Sequence, residues 1–253
     1  MKNSREQGAA VILNWQARAI QVLALIVGML VLAGLISHAL RFGFGLTSRQ
    51  TFGFIQLFDL NEESNVPTWF SSILLASCAV MLALIAHAKR STGDRWVRFW
   101  FGLSAIFWFM SMDETATIHE RTIRPMHDLF DLGPALTNAW VLIAWPLLIV
   151  FLMLYARFLL ELPRRTRWLF CFSGVIYLAG VTGVELISGL MKYNYGSGDL
   201  RFALMTWFEE CLEMLGLLAF IFALTDYAGR QQIVWRLTFT TKEQENEISS
   251  EQI

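Results

Sequence analysis

Residues 139–160 read AWVLIAWPLLIVFLMLYARFLL, a run of 22 residues in which Arg157 is the single charged side chain. An α-helix rises about 1.5 Å per residue, so about 20 apolar residues cross the roughly 30 Å hydrocarbon core of a bilayer. The run is continuous, unlike the alternating segments of about 10 residues that are typical of transmembrane β-strands. This stretch therefore predicts a membrane-spanning helix.

Five further stretches have the same character. They cover residues 17–40, 68–88, 96–118, 166–190 and 204–227. Backbone groups inside a bilayer find no water to pair with, and a continuous apolar segment satisfies them by forming a helix. We therefore expect an all-α integral membrane bundle of six helices over residues 17–227. An N-terminal segment, residues 1–16, and a polar tail, residues 228–253, flank this bundle.

The overall composition excludes two other classes of protein. Hydrophobic residues make up 55% of the chain and charged residues 16%, whereas a soluble domain has roughly 25% charged residues. A soluble globular protein would need a polar surface that this chain lacks. The formal net charge of −1 argues against a dedicated nucleic-acid binder, so we expect no nucleic-acid partner.

The basic residues are divided unequally between the two ends of the predicted bundle. Fourteen of the 20 Lys and Arg residues fall at one end: in the N-terminal segment, at Arg18 just inside the first span, in the 89–98 loop, in the 157–167 loop and in the tail. The remaining six fall at the opposite end. Because loops rich in Lys and Arg stay on the cytoplasmic side, this asymmetry predicts that both termini are cytoplasmic.

Acidic residues enter three of the predicted spans, all toward the outer end. The third span is apolar over residues 96–112, which is 17 residues or about 25 Å of helix, and Asp113 and Glu114 follow at once. The fifth span meets Glu185 after an apolar run of the same length. The sixth span carries three acids soon after it begins: Glu209, Glu210 and Glu213. Ionisable groups at this depth are costly, so they are functional candidates.

Carboxylates and imidazoles in one layer suggest a metal centre. Helical periodicity predicts that Asp113 and Glu120 share one face, and that Glu209 and Glu213 share another, where they repel each other unless a cation lies between them. Such oxygen and nitrogen ligands suit Fe, Mn or Zn. The predicted metal ligands are Asp113, His119, Glu120, Glu209, Glu210 and Glu213. Glu114 and Glu185 are the candidate catalytic bases or supporting residues.

The pattern suggests a metal-dependent membrane enzyme that acts on a lipid-soluble or periplasmic substrate, but other functions fit it too. The acids could form a paired network without chemistry, with Arg121 and Arg124 neutralising Glu120 and Asp128. They could line a cation- or proton-coupled carrier. The protein could also be a non-catalytic subunit or assembly factor of a membrane complex. The expected partners are the lipid bilayer and either other membrane proteins or further copies of the chain.

The first outer loop is not expected to contribute residues to the predicted site. Its acids, Asp59, Glu62 and Glu63, are predicted to be solvated by water and not to belong to a site. His38, which closes the first span, is likewise predicted to be structural and not a ligand.

Three motifs resemble a widespread set of bacterial inner-membrane proteins that carries no assigned activity. They are NVPTWFS at 65–71, SMDETATIHE at 111–120 and EECLEMLG at 209–216. The similarity covers residues 55 to 227, which is most of the chain. It implies a multi-pass protein of the bacterial inner membrane and a shared site, and it names no reaction.

Overall fold

The computed structural model describes residues 2–60, 64–130 and 136–233, with side chains described from residue 16 onward. Every regular element in this part of the chain is helical. The predicted tail lies outside the described residues from 234 onward, as do Glu62 and Glu63. The helices are α1 (Lys2–His38), α2 (Phe54–Phe58), α3 (Val66–Ser91), α4 (Val97–Ala116), α5 (Ile123–Phe130), α6 (Val141–Glu161), α7 (Arg164–Leu178), α8 (Glu185–Tyr195) and α9 (Leu200–Arg230).

Among the described residues, five helical segments are long and apolar enough to cross a membrane. They are Gln16–Gly43, Val66–Ser91, Val141–Glu161, Arg164–Tyr195 and Leu200–Arg230. The chain therefore has the character of an all-helical, multi-pass membrane protein. Helix α4, predicted as the third span, is not among the five. It has 20 residues and carries Arg98, Asp113 and Glu114, so its apolar part is short.

Two of the segments are lengthened by a π-helical turn. Residues Ala39–Gly43 continue α1, and residues Ala179–Val184 join α7 to α8. A π-helical turn holds one extra residue in the helix and is frequent at functional sites. Both turns lie toward the end of the bundle that carries the described segments 44–60, 64–65, 117–130, 136–140 and 196–199, called here the site end.

Helix α9 lies at the centre of the bundle and contacts α1, α3, α7 and α8. Its side chains Met214, Ala223 and Leu224 are completely buried. By contrast, α6 exposes a large part of its apolar surface, including Leu147 and Met153. In a bilayer such a surface faces lipid, so α6 is a peripheral helix.

Polar side chains join α3 to α4 along their contact. Ser72 Oγ donates to the carbonyl oxygen of Ser111 at 2.8 Å, and Ser111 Oγ donates to that of Ser72 at 2.9 Å. Ser104 Oγ donates to the carbonyl oxygen of Ala79 at 2.8 Å. Small residues that bond across a helix pair allow close packing in membranes, where the hydrophobic effect does not drive association.

The opposite end, called here the basic end, is held by aromatic and ionic contacts. The buried Trp100 ring lies 5.0 Å from both Phe158 of α6 and Tyr227 of α9, measured between ring centroids. Asp226 of α9 accepts from Arg165 Nε at 3.0 Å and from Arg230 Nε at 2.9 Å. These contacts fix the bundle at the end away from the intramembrane acids.

Candidate functional site

Helix α9 places its three acids well inside the bundle. Its first turn is capped by Asp199, whose Oδ1 accepts from the backbone N–H of Arg201 at 2.8 Å. Glu209 lies more than two turns further on and is only 5% exposed. Glu210 and Glu213 are partly buried beside it. All three acids lie within Leu200–Arg230, one of the segments that are long and apolar enough to cross a membrane.

A second carboxyl group meets Glu209 from α8. Glu185 begins α8 immediately after the π-helical turn, and its carboxyl group lies within hydrogen-bond range of that of Glu209. Glu209 Oε2 also accepts from Ser188 Oγ at 3.3 Å. Two carboxyl groups this close are compatible only when a proton or a cation lies between them.

The π-helical turn Ala179–Val184 packs unusually close to α9. A Cβ atom placed on Gly180 would lie 3.0 Å from both the Glu209 carbonyl oxygen and Glu213 Cγ. Only glycine therefore fits this crossing without displacing its neighbours. The local sequence AGVTGV thus sets the distance between the acids of α9 and Glu185.

A histidine approaches the acids from the segment after α4. His119 is held at two points by Asp113: its backbone N–H donates to Oδ1 and its ring Nδ1 contacts Oδ2, both at 2.8 Å. The ring lies 5.0 Å from that of Trp140, and Trp140 Nε1 donates to Glu185 Oε1 at 3.2 Å. Asp113, His119, Trp140 and Glu185 therefore form a connected chain of contacts.

The charges around His119 control its protonation. Burial on its own lowers the pKa of His119, but the hydrogen bond to Asp113 and the charges of Asp113, Glu185 and Glu120 outweigh burial and raise the pKa above its usual value of about 6.5. The imidazolium form of His119 therefore persists to a higher pH than in a free histidine.

Replacing Asp113 with asparagine is expected to lower the pKa of His119, because the burial remains while its principal negative partner is lost. In the wild type, the raised pKa gives the pair a stabilising effect that is complete below about pH 6.5 and fades as the pH rises through the folded-state value. NMR titration of histidine-labelled, chelator-treated protein measures both values. An unchanged or higher pKa in Asp113→Asn would show that Asp113 is not the group that raises it.

One predicted ligand occupies a different place from that expected. The helical periodicity predicted Glu120 on the face of Asp113, but this prediction is wrong because α4 ends at Ala116. Thr117 adopts a left-handed conformation, with φ of 51°, and the chain turns away. Glu120 then begins a short 3₁₀ turn and is exposed, although its charge still acts on His119.

A tyrosine that the sequence did not single out lies among the acids. Tyr177 of α7 is within electrostatic range of four carboxyl groups. They belong to Glu213, Glu114, Glu210 and Asp113. In the sequence Tyr177 is one aromatic residue in an apolar span, and no charged neighbour along the chain marks it. Its hydroxyl group gives the cluster a proton donor.

Three acids of this cluster lack, among the described residues, the Lys or Arg partner that the paired-network alternative requires. Glu185, Glu209 and Glu213 form no ion pair with a described Lys or Arg side chain. Arg121 and Arg124, the predicted partners, are exposed and likewise form no ion pair within the described ranges. Neither arginine therefore neutralises the acids of α9 through an ion pair among the described residues.

A separate ionic cluster lies near α1 and corrects the prediction for the first loop. Asp59 was expected to be solvated, but it is 1% exposed, and its Oδ2 accepts from Arg41 Nη1 at 2.7 Å. His38 is 2% exposed, with Nδ1 at 3.7 Å from Asp59 Oδ1. The π-helical turn after His38 places Arg41 for this contact. A basic residue just beyond an apolar span and an acid in the next loop were the only signals in the sequence.

The predicted site residues therefore divide into two groups. The structure brings seven of them together at the site end: Asp113, Glu114, His119, Glu185, Glu209, Glu210 and Glu213. Glu120 lies outside this cluster, exposed, and acts on it only through its charge near His119. Among the described residues, no three His, Cys, Asp or Glu side chains are already arranged so that they could hold a metal ion.

Comparison with protein-family models matches residues 17–228 to the family described as "Domain of unknown function (DUF8692)". The match covers the whole bundle, so the chain belongs to this family. No curated protein and no solved structure matches the chain.

Proposed function

We propose that this DUF8692 protein is a metal-dependent enzyme of the bacterial inner membrane, with its site near the periplasmic face. In this topology α4 is a sixth spanning helix and both termini are cytoplasmic. The 20 residues of α4 give about 30 Å of helix, and α4 packs along α3, which itself has the length of a span. The position of most Lys and Arg residues at the basic end supports the same orientation.

The observation that carries the proposal is the contact between Asp113 and His119. A carboxylate that binds one ring nitrogen of a histidine fixes the ring and raises the basicity of the other nitrogen, as in many metal sites. Asp113 binds Nδ1, so Nε2 is the ring nitrogen left to coordinate a metal. In this proposal Asp113 orients His119, and it need not be a ligand itself.

The remaining ligands come from the carboxyl groups that face one another. Glu185, Glu209 and Glu213, with Glu210 next to them, place several negative charges in a region with no described Lys or Arg partner for the first three. A divalent cation would relieve their repulsion and replace the proton that Glu185 and Glu209 must otherwise share. Fe, Mn or Zn suits this oxygen-rich donor set. Binding requires the carboxyl side chains to close on the ion.

Two further groups are placed to handle protons. Glu114 and Tyr177 lie within electrostatic range of Glu213, and each can give or accept a proton near the ligand carboxylates. A bound metal would act as a Lewis acid or activate water. We therefore assign proton transfer to Glu114, with Tyr177 as its neighbour.

An apolar cavity next to the site suggests the class of substrate. It has a volume of about 620 Å³ and lies between α5 and α6. Its lining includes Met126, Leu129, Phe130 and Leu142. Helix α5 and the start of α6 directly flank the His119 and Trp140 contact. A cavity of this size and composition suits an apolar ligand, so we propose a lipid-soluble substrate.

Metal quantification tests the proposal. We expect about one or two metal ions per chain after gentle purification of the wild type in detergent. The Glu209→Gln/Glu213→Gln variant keeps similar side-chain shapes and is expected to lose at least about nine-tenths of the metal, because it removes two anionic ligands. Elemental analysis for Fe, Mn, Zn and Cu measures both samples.

A matched control separates loss of the site from general damage. Glu161 is exposed at the basic end and pairs with Arg95 at 2.7 Å, so Glu161→Gln is expected to keep the full metal content. Wild-type protein with little of any of the four metals would overturn the proposal. Metal retained by the double variant would show that the acids of α9 are not ligands.

One observation favours a second function, a proton- or cation-coupled carrier. The facing carboxyl groups of Glu185 and Glu209 are a place where a proton or a cation can bind within the membrane. However, α9 continues from there with buried apolar side chains, including Leu217, Phe220 and Ile221. Because a carrier needs a polar route to the other side, we rank this function second.

A further inference from the structure

The cluster around Arg41 borders a cavity that the acidic site does not use. The cavity has a volume of about 430 Å³ and lies between the π-helical turn, the following loop and α2. Its polar lining comes from Arg41, Thr47, Ser48, Gln56 and Asp59. Its size is that of a pocket for a small ligand or a headgroup.

The positively charged guanidinium group of Arg41 lines the cavity and is held in place by Asp59. Asp59 is anchored at the end of α2: its backbone N–H donates to the Ile55 carbonyl oxygen at 2.8 Å, and its own carbonyl oxygen accepts from Asn65 Nδ2 at 2.7 Å. Asp59 Oδ2 binds one terminal nitrogen of Arg41, Nη1. A guanidinium group carries five N–H donors in a rigid plane, so several remain for a ligand.

Arg41 is more accessible than a purely structural partner of Asp59 would need to be. The Arg41 side chain is 36% exposed, whereas Asp59 is 1% exposed. The guanidinium group therefore connects a buried carboxylate to an open cavity. An anion on the cavity side of Arg41 would keep part of its hydration, which limits repulsion from Asp59.

The surrounding loop places the cavity at the membrane surface. The span that contains α1 ends at Gly43, next to the cavity. Phe44 is 76% exposed, and Phe52 is 98% exposed in a left-handed conformation that directs the chain into Gly53. Aromatic side chains beside a spanning helix settle in the interfacial layer of the bilayer, at the level of the headgroups.

From the position and chemistry of this cavity, we infer that it binds the phosphate of a phospholipid headgroup from the surrounding leaflet. Arg41 binds the phosphate oxygens in the planar, two-point geometry that guanidinium groups favour. The hydroxyl group of Ser48 and the amide of Gln56 are the further donors, whereas the Thr47 hydroxyl already donates to Gln50 Oε1 at 2.9 Å. The exposed Phe44 and Phe52 lie beside the acyl chains. This lipid site uses none of the residues of the acidic site, so it stands independently of the proposed enzyme.

Lipid retention measured by native mass spectrometry tests the inference. Delipidated full-length protein is titrated with phosphatidylglycerol in detergent. The Arg41→Lys variant keeps the charge next to Asp59 but loses two-point binding, so we expect affinity to fall about tenfold. The Gln56→Leu variant leaves the ion pair intact and is expected to weaken binding without changing the thermal stability. Arg49→Lys, an exposed arginine of the same loop, is the matched control and is expected to bind like the wild type.

Wild-type lipid affinity in both Arg41→Lys and Gln56→Leu would overturn the inference. A parallel titration with inorganic phosphate separates the two sources of the same chemistry. If inorganic phosphate binds alone and displaces the lipid at equal concentration, the cavity is a site for free phosphate and the lipid assignment is wrong.

Discussion

Replacing Gly216 with alanine is expected to destabilise the protein severely. Gly216 lies where α9 crosses α7, and a Cβ atom on it would come within 2.7 Å of the backbone nitrogen of Tyr177 and 2.8 Å of its Cα. Backbone atoms cannot rotate out of the way, so the two helices must separate. Overpacking of a buried contact typically costs about 1–3 kcal/mol, and a clash with backbone places this substitution at or above the upper end.

The same separation is expected to disturb the acidic site. Tyr177 lies within electrostatic range of the carboxyl groups of Glu213 and Glu114, so moving α7 changes the position of its hydroxyl group relative to them. Thermal unfolding in detergent measures the loss of stability, at about 2–4 °C per kcal/mol for a chain of this size. Metal content measured on the folded fraction reports the effect on the site.

Gly174 provides a matched control on the partner helix α7. A Cβ atom on Gly174 would meet no other atom within 4 Å, so Gly174→Ala adds the same methyl group in open space. We expect it to leave the melting temperature unchanged or slightly higher, because alanine favours helix over glycine. Equal melting temperatures for Gly216→Ala and Gly174→Ala would show that the close crossing of α7 and α9 is not required.

The helices were predictable because the bilayer imposes a length and a polarity on them. The predicted span at 139–160 corresponds to α6 at Val141–Glu161, and the one at 68–88 corresponds to α3 at Val66–Ser91. Apolar runs are visible locally, so no knowledge of packing was needed. The two π-helical turns were not predictable in this way, because they depend on how α1 and α8 pack against α9. The number of spans stays a prediction, since α4 is not among the five segments that are long and apolar enough to cross a membrane.

The site was predictable in its membership and less so in its geometry. Depth along each span placed Asp113, Glu185 and Glu209 at one level, and depth can be read from residue counts. The direction of each side chain depends on local turns, and the left-handed Thr117 ended the helix that was expected to carry Glu120. Tyr177 was missed because it belongs to the apolar pattern, and only tertiary contacts reveal its acidic neighbours.

Replacing Arg41 with glutamine is expected to destabilise the protein far more than replacing Asp59 with asparagine. Asp59 is 1% exposed, so Arg41→Gln leaves its buried carboxylate without the guanidinium partner at 2.7 Å. Breaking a buried ion pair from one side costs about 3–5 kcal/mol, which corresponds to a fall in melting temperature of roughly 10 °C. Asp59→Asn leaves the Arg41 guanidinium without its carboxylate partner, but Arg41 is 36% exposed and can be hydrated from the cavity. The loss of folding stability in Asp59→Asn is therefore expected to be closer to the ~1 kcal/mol of an exposed pair.

The double variant Arg41→Gln/Asp59→Asn separates the cost of a buried charge from the value of the pair. With both charges removed, no carboxylate is buried without a cation, so the double variant is expected to melt several degrees above Arg41→Gln alone. If instead the effects of the two substitutions simply add, Asp59 and Arg41 do not depend on each other. The order of the two single variants is equally decisive: a lower melting temperature for Asp59→Asn than for Arg41→Gln would mean that Asp59 stabilises the fold mainly through other contacts. The asymmetry predicted here follows only if Asp59 is the buried member that requires a cation and Arg41 the accessible member that supplies it.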